Sequence, residues 1–139
     1  MSKNIILKKP GESPIKIPIA EKGDTLKQLQ DLVEGYIDIV RSDLLQPHGI
    51  DMFINDEGLF SGEDGGPMDE NILMAHQVLV GPVVFTGTDS EGETIALTFE
   101  QEARVLAICA VFDVRQFDDE VLEPYRATEP YVKVTAFNL

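Results

Sequence analysis

The apolar residues of this chain come in short alternating runs, and glycine, proline or a cluster of small polar residues cuts each run before a long element can form. That pattern predicts short strands joined by turns. Residues 5–8 and 15–19 read as two strands around Pro10-Gly11-Glu12-Ser13-Pro14, and Pro18 puts the second at a sheet edge. Residues 36–41 alternate, with Ile37 and Ile39 on one face and Asp38 on the other; residues 50–55 do likewise, with Ile50, Met52 and Ile54 in phase. Asn55-Asp56-Glu57-Gly58 is a turn in which Gly58 is placed for positive φ, and Leu59-Phe60 reads as the return strand. Residues 79–85, dense in valine, predict a central strand, which Asp89-Ser90-Glu91-Gly92 turns into 94–97. Residues 131–137 alternate like a closing strand.

Two segments depart from period two. In 25–34, Leu26, Leu29, Leu32 and Val33 recur at helical spacing, Thr25 and Gln28 have the capping-box form, and Gly35 stands where a C-terminal cap belongs. In 99–110, Thr98 and Gln101 repeat the box and Glu100 and Glu102 favour the helix dipole; Phe99, Ala103, Leu106 and Ala110 mark the stripe expected to be buried. A shorter helical turn is predicted at 68–76, capped by Asp69 or Asn71, and a short helix that Asp118-Asp119-Glu120 starts and Pro124 ends. Residues 61–67 read as a mobile acidic loop. Together these predict an α+β fold over residues 1–139: a single compact domain, mostly antiparallel sheet, with two main helices at about 25–34 and 99–110.

With 43% hydrophobic residues the chain is long enough to bury a sizeable core. No stretch approaches the roughly 20 consecutive apolar residues of a membrane helix, and the apolar core near the start is too short for a secretory signal. The one cysteine, Cys109, cannot form an internal disulfide, so a cytoplasmic location is expected. Charge is the most unusual property: 11 basic against 25 acidic residues give a formal net charge of −14. Residues 1–50 are balanced at seven of each, whereas 51–139 hold four basic and eighteen acidic. Such a field repels nucleic acid and anionic lipid and attracts basic surfaces, so no direct nucleic-acid or membrane binding is expected.

Little here can carry catalysis. The only histidines, His48 and His76, lie in no nucleophile or metal motif, and Cys109 sits beside Ile108 and Ala110 as a buried thiol would. Aligned on the EF-hand glycine, the loops around Gly58 and Gly92 put Phe53 and Gly87 at the first ligand position, so neither is a calcium loop. Gly62, Gly65 and Gly66 have no Lys-Ser or Lys-Thr after them, and Glu63 and Asp64 would repel phosphate. No catalytic residue, no metal ligand and no cofactor is therefore predicted. What remains are three acidic groups: Asp56, Glu57, Glu63, Asp64, Asp69 and Glu70; then Asp89, Glu91, Glu93, Glu100 and Glu102; then Asp113, Asp118, Asp119, Glu120 and Glu123. Gathered on one surface they would imitate the phosphates of a nucleic acid; scattered, they would only keep the protein in solution.

Four pieces carry a resemblance: Leu29-Gln30 with Leu32-Val33-Glu34-Gly35-Tyr36-Ile37-Asp38, then Ile54-Asn55-Asp56-Glu57-Gly58, then Val80-Gly81-Pro82-Val83-Val84, then Gly92-Glu93 running to Leu97-Thr98. In that order they resemble an uncharacterised small-domain family, a domain of unknown function of bacteria, bacteriophages and mobile elements, over roughly residues 3–103. The resemblance implies a phage or plasmid setting and a compact α+β fold, and it brings no catalytic residues. Residues 104–139 are then a family-atypical extension packed on the domain.

The function expected from these readings is non-catalytic: an accessory protein binding a basic surface of a host protein, in the manner of a nucleic-acid mimic directed at a defence or DNA-processing factor. Its candidate contacts are Asp56, Glu57, Glu63, Asp64, Asp69, Glu70, Asp89, Glu91, Glu93, Asp118, Asp119 and Glu120. The alternatives are a sponge-like small-molecule-binding module and a small enzyme without a recognisable motif; a homodimer is compatible with each.

Overall fold

The computed structural model describes residues 3–126. Its centre is an antiparallel sheet in the order β2–β1–β7–β4–β3, built from β1 (Asn4–Lys8), β2 (Ile15–Pro18), β3 (Ile37–Val40), β4 (Ile50–Asn55) and β7 (Val83–Thr88). A two-residue strand, β8 (Thr94–Ile95), extends the β1 side of β7. Two further strands, β5 (Glu70–Met74) and β6 (Gln77–Val80), form a separate hairpin. The α+β reading holds, with helices α1 (Thr25–Val33), α2 (Phe99–Phe112) and the short α3 (Asp119–Leu122).

The strands β1, β4 and β7 are buried on both faces, which explains their nearly unbroken apolar sequence. Ile5, Leu7, Phe53 and Val84 face α1 through Leu29 and Val33. Ile6, Met52, Ile54, Val83 and Phe85 face the opposite way, where Val105, Ile108 and Cys109 of α2 and Ile72, Met74 and Leu79 of the hairpin cover them. Three layers result: α1, the sheet, and α2 beside the β5–β6 hairpin.

Several sequence expectations are corrected. Leu59 and Phe60 lie in a turn, not a return strand. The segment predicted as helical at 68–76 is β5 with its turn, because Asn71 is buried and hydrogen-bonded across the fold rather than capping a helix: its Nδ2 donates to the Lys8 and Gly81 carbonyls at 2.7 and 2.8 Å. The run 79–85 is two strands, broken where Gly81 takes φ +77° and donates its N–H to the Asp69 carbonyl. Gln28 makes no capping box with Thr25; it accepts from the Ala20 N–H and donates to the Pro18 carbonyl, pinning the end of β2 to α1. At the other end of α1 it is Glu34, at φ 66°, that takes the left-handed cap position. Gly35 is needed for a different reason: a Cβ there would stand 2.7 Å from Asn55 Nδ2. Gly58 does not have positive φ; its Cβ would collide with Val80.

The α2 stripe is also turned. Its capping box forms as expected, but the buried positions are Glu102, Val105, Ile108 and Cys109, while Phe99, Ala103 and Ala110 face solvent. The helix is apolar on more than one side, and the sheet takes the side that carries the branched residues. The expected closing strand at 131–137 lies outside the described residues.

Candidate functional site

The β4–β5 loop, the β1–β2 turn and the segment after α2 meet at the end of the sheet where β7 begins. A buried polar network organises that end. Lys8, at the end of β1, is 1% exposed, and its ammonium lies 3.0 Å from Asp113 Oδ2 while donating to Asn71 Oδ1 and the Lys9 carbonyl at 3.0 Å each. Asp113, just past α2, is held in turn by Arg115, whose Nε and Nη2 donate at 3.0 and 2.7 Å and whose Nη1 reaches the Gly11 carbonyl. The Arg115 guanidinium first, and Lys8 after it, hold the Asp113 carboxyl well below the usual carboxylate range. All three donors of the buried ammonium are thus satisfied, which is what makes such a charge tolerable in a core.

The two family-like motifs meet at the same end. Asn55 Nδ2 donates to the Val33 and Glu34 carbonyls at the end of α1, and its Oδ1 accepts from the Glu57 N–H at 2.8 Å. The Asp56 N–H donates to the Tyr36 carbonyl. The Gly-Tyr-Ile and Asn-Asp-Glu-Gly pieces are therefore two halves of one joint, which launches the acidic loop in a fixed direction. The loop closes on itself through Gly62 N–H to the Gly66 carbonyl and Gly66 N–H to Asp64 Oδ1.

Of the candidate contacts, Asp56, Glu57, Glu63, Asp64 and Asp69 belong to this loop, and all but the half-buried Asp56 are exposed. Glu70 opens β5 and is joined to the third acidic group by Arg126, which bonds Glu70 Oε2 at 2.8 Å, Asp119 Oδ1 at 2.7 Å and Glu123 Oε2 at 2.8 Å. Asp118 and Glu120 are exposed beside Asp119. Arg126 thus ties Asp119 and Glu123 of the third group to Glu70 of the first. Asp89, Glu91 and Glu93 are at the far end of β7: they form the β7–β8 turn, where Asp89 Oδ1 accepts from the Glu91 and Glu93 N–H groups and Glu93 pairs with Lys22 at 3.2 Å.

At the loop end a cleft of about 470 Å³ opens between the loop, the β1–β2 turn and Gly81-Pro82. Glu12, Glu34, Glu63 and Asp69 line it, and Lys9 is its one basic lining residue. Such a cleft favours a guanidinium or ammonium group over any anion. Among the described residues no group of three or more His, Cys, Asp and Glu could hold a metal ion, and no helix is long and apolar enough to cross a membrane. Asp51 and Asp113 have opposed shifts, Asp51 raised by burial against the pull of Arg41 and Asp113 lowered, but they lie on opposite faces of the sheet and do not form an acid–base pair. Burial pushes the Cys109 thiol up to about 12, so it stays protonated at neutral pH.

The sequence reading found the carboxylates but not the residues that arrange them. Lys8 gave no signal, sitting in an apolar strand beside a second lysine, and Arg126 was not singled out, though it is one of only four basic residues after position 50.

Residues 1–110 match the family model described as Domain of unknown function (DUF3846). The chain belongs to that family. No curated protein matches the chain, and no solved structure does. The DUF3846 match takes in the whole sheet, the β5–β6 hairpin and α2 to within its last turn, while Asp113, Arg115 and Arg126 follow it. The joint at Gly35 and Asn55 is thus inside the DUF3846 span, and half of the network around Lys8 is outside it.

Proposed function

We propose that this protein is a non-catalytic accessory protein of a phage or mobile element that acts in the host cytoplasm, binding a basic surface of a host protein in place of nucleic acid. What supports the reading most is the cleft at the loop end, rimmed by Glu12, Glu34, Glu63 and Asp69, with the further carboxylates Glu70, Asp119 and Glu123 drawn together by Arg126. Carboxylates held by backbone turns rather than by free tails keep their spacing, as the phosphates of a duplex do, and a lysine or arginine of the partner fits between them.

The test is association with a purified DNA-processing protein that has an open basic groove, measured at rising sodium chloride and in competition with a duplex oligonucleotide. The affinity is expected to fall steeply as salt rises, and the duplex to displace the protein. Association that ignores salt, or that persists undiminished with saturating duplex, would sink the mimicry.

A further inference from the structure

The outward face of α2 is apolar, and none of the described residues covers it. Phe99 is 62% exposed and Val111 58% exposed, with Ala103, Ala107 and Ala110 exposed along the same side. A groove of about 620 Å³ runs beside this face, walled by Glu100, Ala103, Arg104 and Ala107 on the helix and by His48 across from it. The far wall is fixed, because Gln101 Nε2 donates to the His48 carbonyl at 2.7 Å and to the Gly49 carbonyl at 3.3 Å.

We infer that this face is the contact of a two-fold homodimer in which α2 packs antiparallel on α2 of a second copy. Charge selects the occupant. Glu100 and Arg104 lie one turn apart on the same flank, so the face is neutral on a chain whose net charge is −14, and it attracts neither a basic nor an acidic partner. Self-association removes that indifference. With the two-fold axis near position 102, each Glu100 stands level with the partner subunit's Arg104, giving two reciprocal ion pairs.

Packing of the N-terminal half of the face agrees with that register, which leaves Ala110 and Val111 beyond the partner subunit's helix. At a rise of about 1.5 Å per residue, that axis sets Phe99 midway in height between the partner subunit's Ala103 and the partner subunit's Ala107. The alanines let the helix axes approach closely, and each phenylalanine then covers the other copy's alanine strip. The groove next to the strip takes the long charged side chains. This contact and the acidic cleft are different surfaces, so either reading stands without the other.

Sedimentation of the full chain tests it. The wild type is expected at the mass of two chains and to dissociate on dilution, and F99A to weaken the dimer. E100R and R104E, each confirmed as folded by its thermal melt, are each expected to weaken it about tenfold or more, and the double variant E100R/R104E to restore it. A wild type that stays monomeric at high concentration overturns the inference. So does a dimer indifferent to the single reversals, or a double variant that fails to recover.

Discussion

Lys8 shows what one residue does in this fold. Its ammonium is enclosed by Asp113, Asn71 and the Lys9 carbonyl, each at 3.0 Å. Lys8→Met keeps most of the volume but strips a partner from each; because Arg115 still holds Asp113, the expected cost is that of buried groups left unsatisfied, about 1–3 kcal/mol. Urea denaturation should show that loss; a variant within about 1 kcal/mol of wild type would mean the network contributes little. The same network sets an acid dependence. Asp113 titrates below its ordinary value of 3.8 when folded, so its ionised form stabilises the fold above that value, and the contribution is lost as pH falls through the folded pKa. Arg115→Gln removes the largest cause of the shift. The variant should be less stable than wild type near pH 6, and the gap should narrow below about pH 4; a gap that stays constant with pH would assign the loss to something other than Asp113.

At the scale of elements, the β5–β6 hairpin is both the largest surprise and the easiest to improve. Its loop is Ala75-His76, with φ 52° and 63°, so both residues sit in the left-handed region that a two-residue turn between antiparallel strands requires. Alanine in particular does not adopt it readily, and neither residue does so as freely as Asn or Gly. Replacing the pair by Asn-Gly, as A75N/H76G, is expected to raise stability by about 1–2 kcal/mol, read as a higher urea midpoint with an unchanged slope. An unchanged or lower midpoint would show that the turn is not strained. The same residues explain why this hairpin was not legible in the sequence: its turn lacks the Asn-Gly signature, and Asp69 and Asn71 imitate helix caps. By contrast β1 to β4 and both main helices were legible, because alternation and helical spacing are local properties, whereas the break at Gly81 that separates β6 from β7 was not. Which side of α2 is buried was not, since Phe99 and Val105 are equally apolar and only the sheet decides between them. The candidate carboxylates were legible one by one; their grouping was not, because it depends on strand order and on Arg126.

At the scale of the molecule, the sheet divides the acidic residues into two separate fields. The β4–β5 loop lies where β7 begins, and Asp89, Glu91 and Glu93 lie where it ends. Six residues of strand put about 20 Å between those ends, against a screening length of about 10 Å at 0.1 M salt. A partner held at one end therefore scarcely feels the other, and the net charge of −14 overstates what any single contact experiences. That separation gives the binding proposal an internal control. Neutralising Glu63 and Asp69 as E63Q/D69N should weaken association with a basic-grooved protein and flatten its salt dependence, because fewer screened charge pairs remain. Neutralising Glu91, which is exposed in the distant turn, should leave both affinity and slope as they were. Were E91Q to match the double variant at 0.1 M salt, the partner would be responding to overall charge, and the cleft at the loop end would have no special part in recognition.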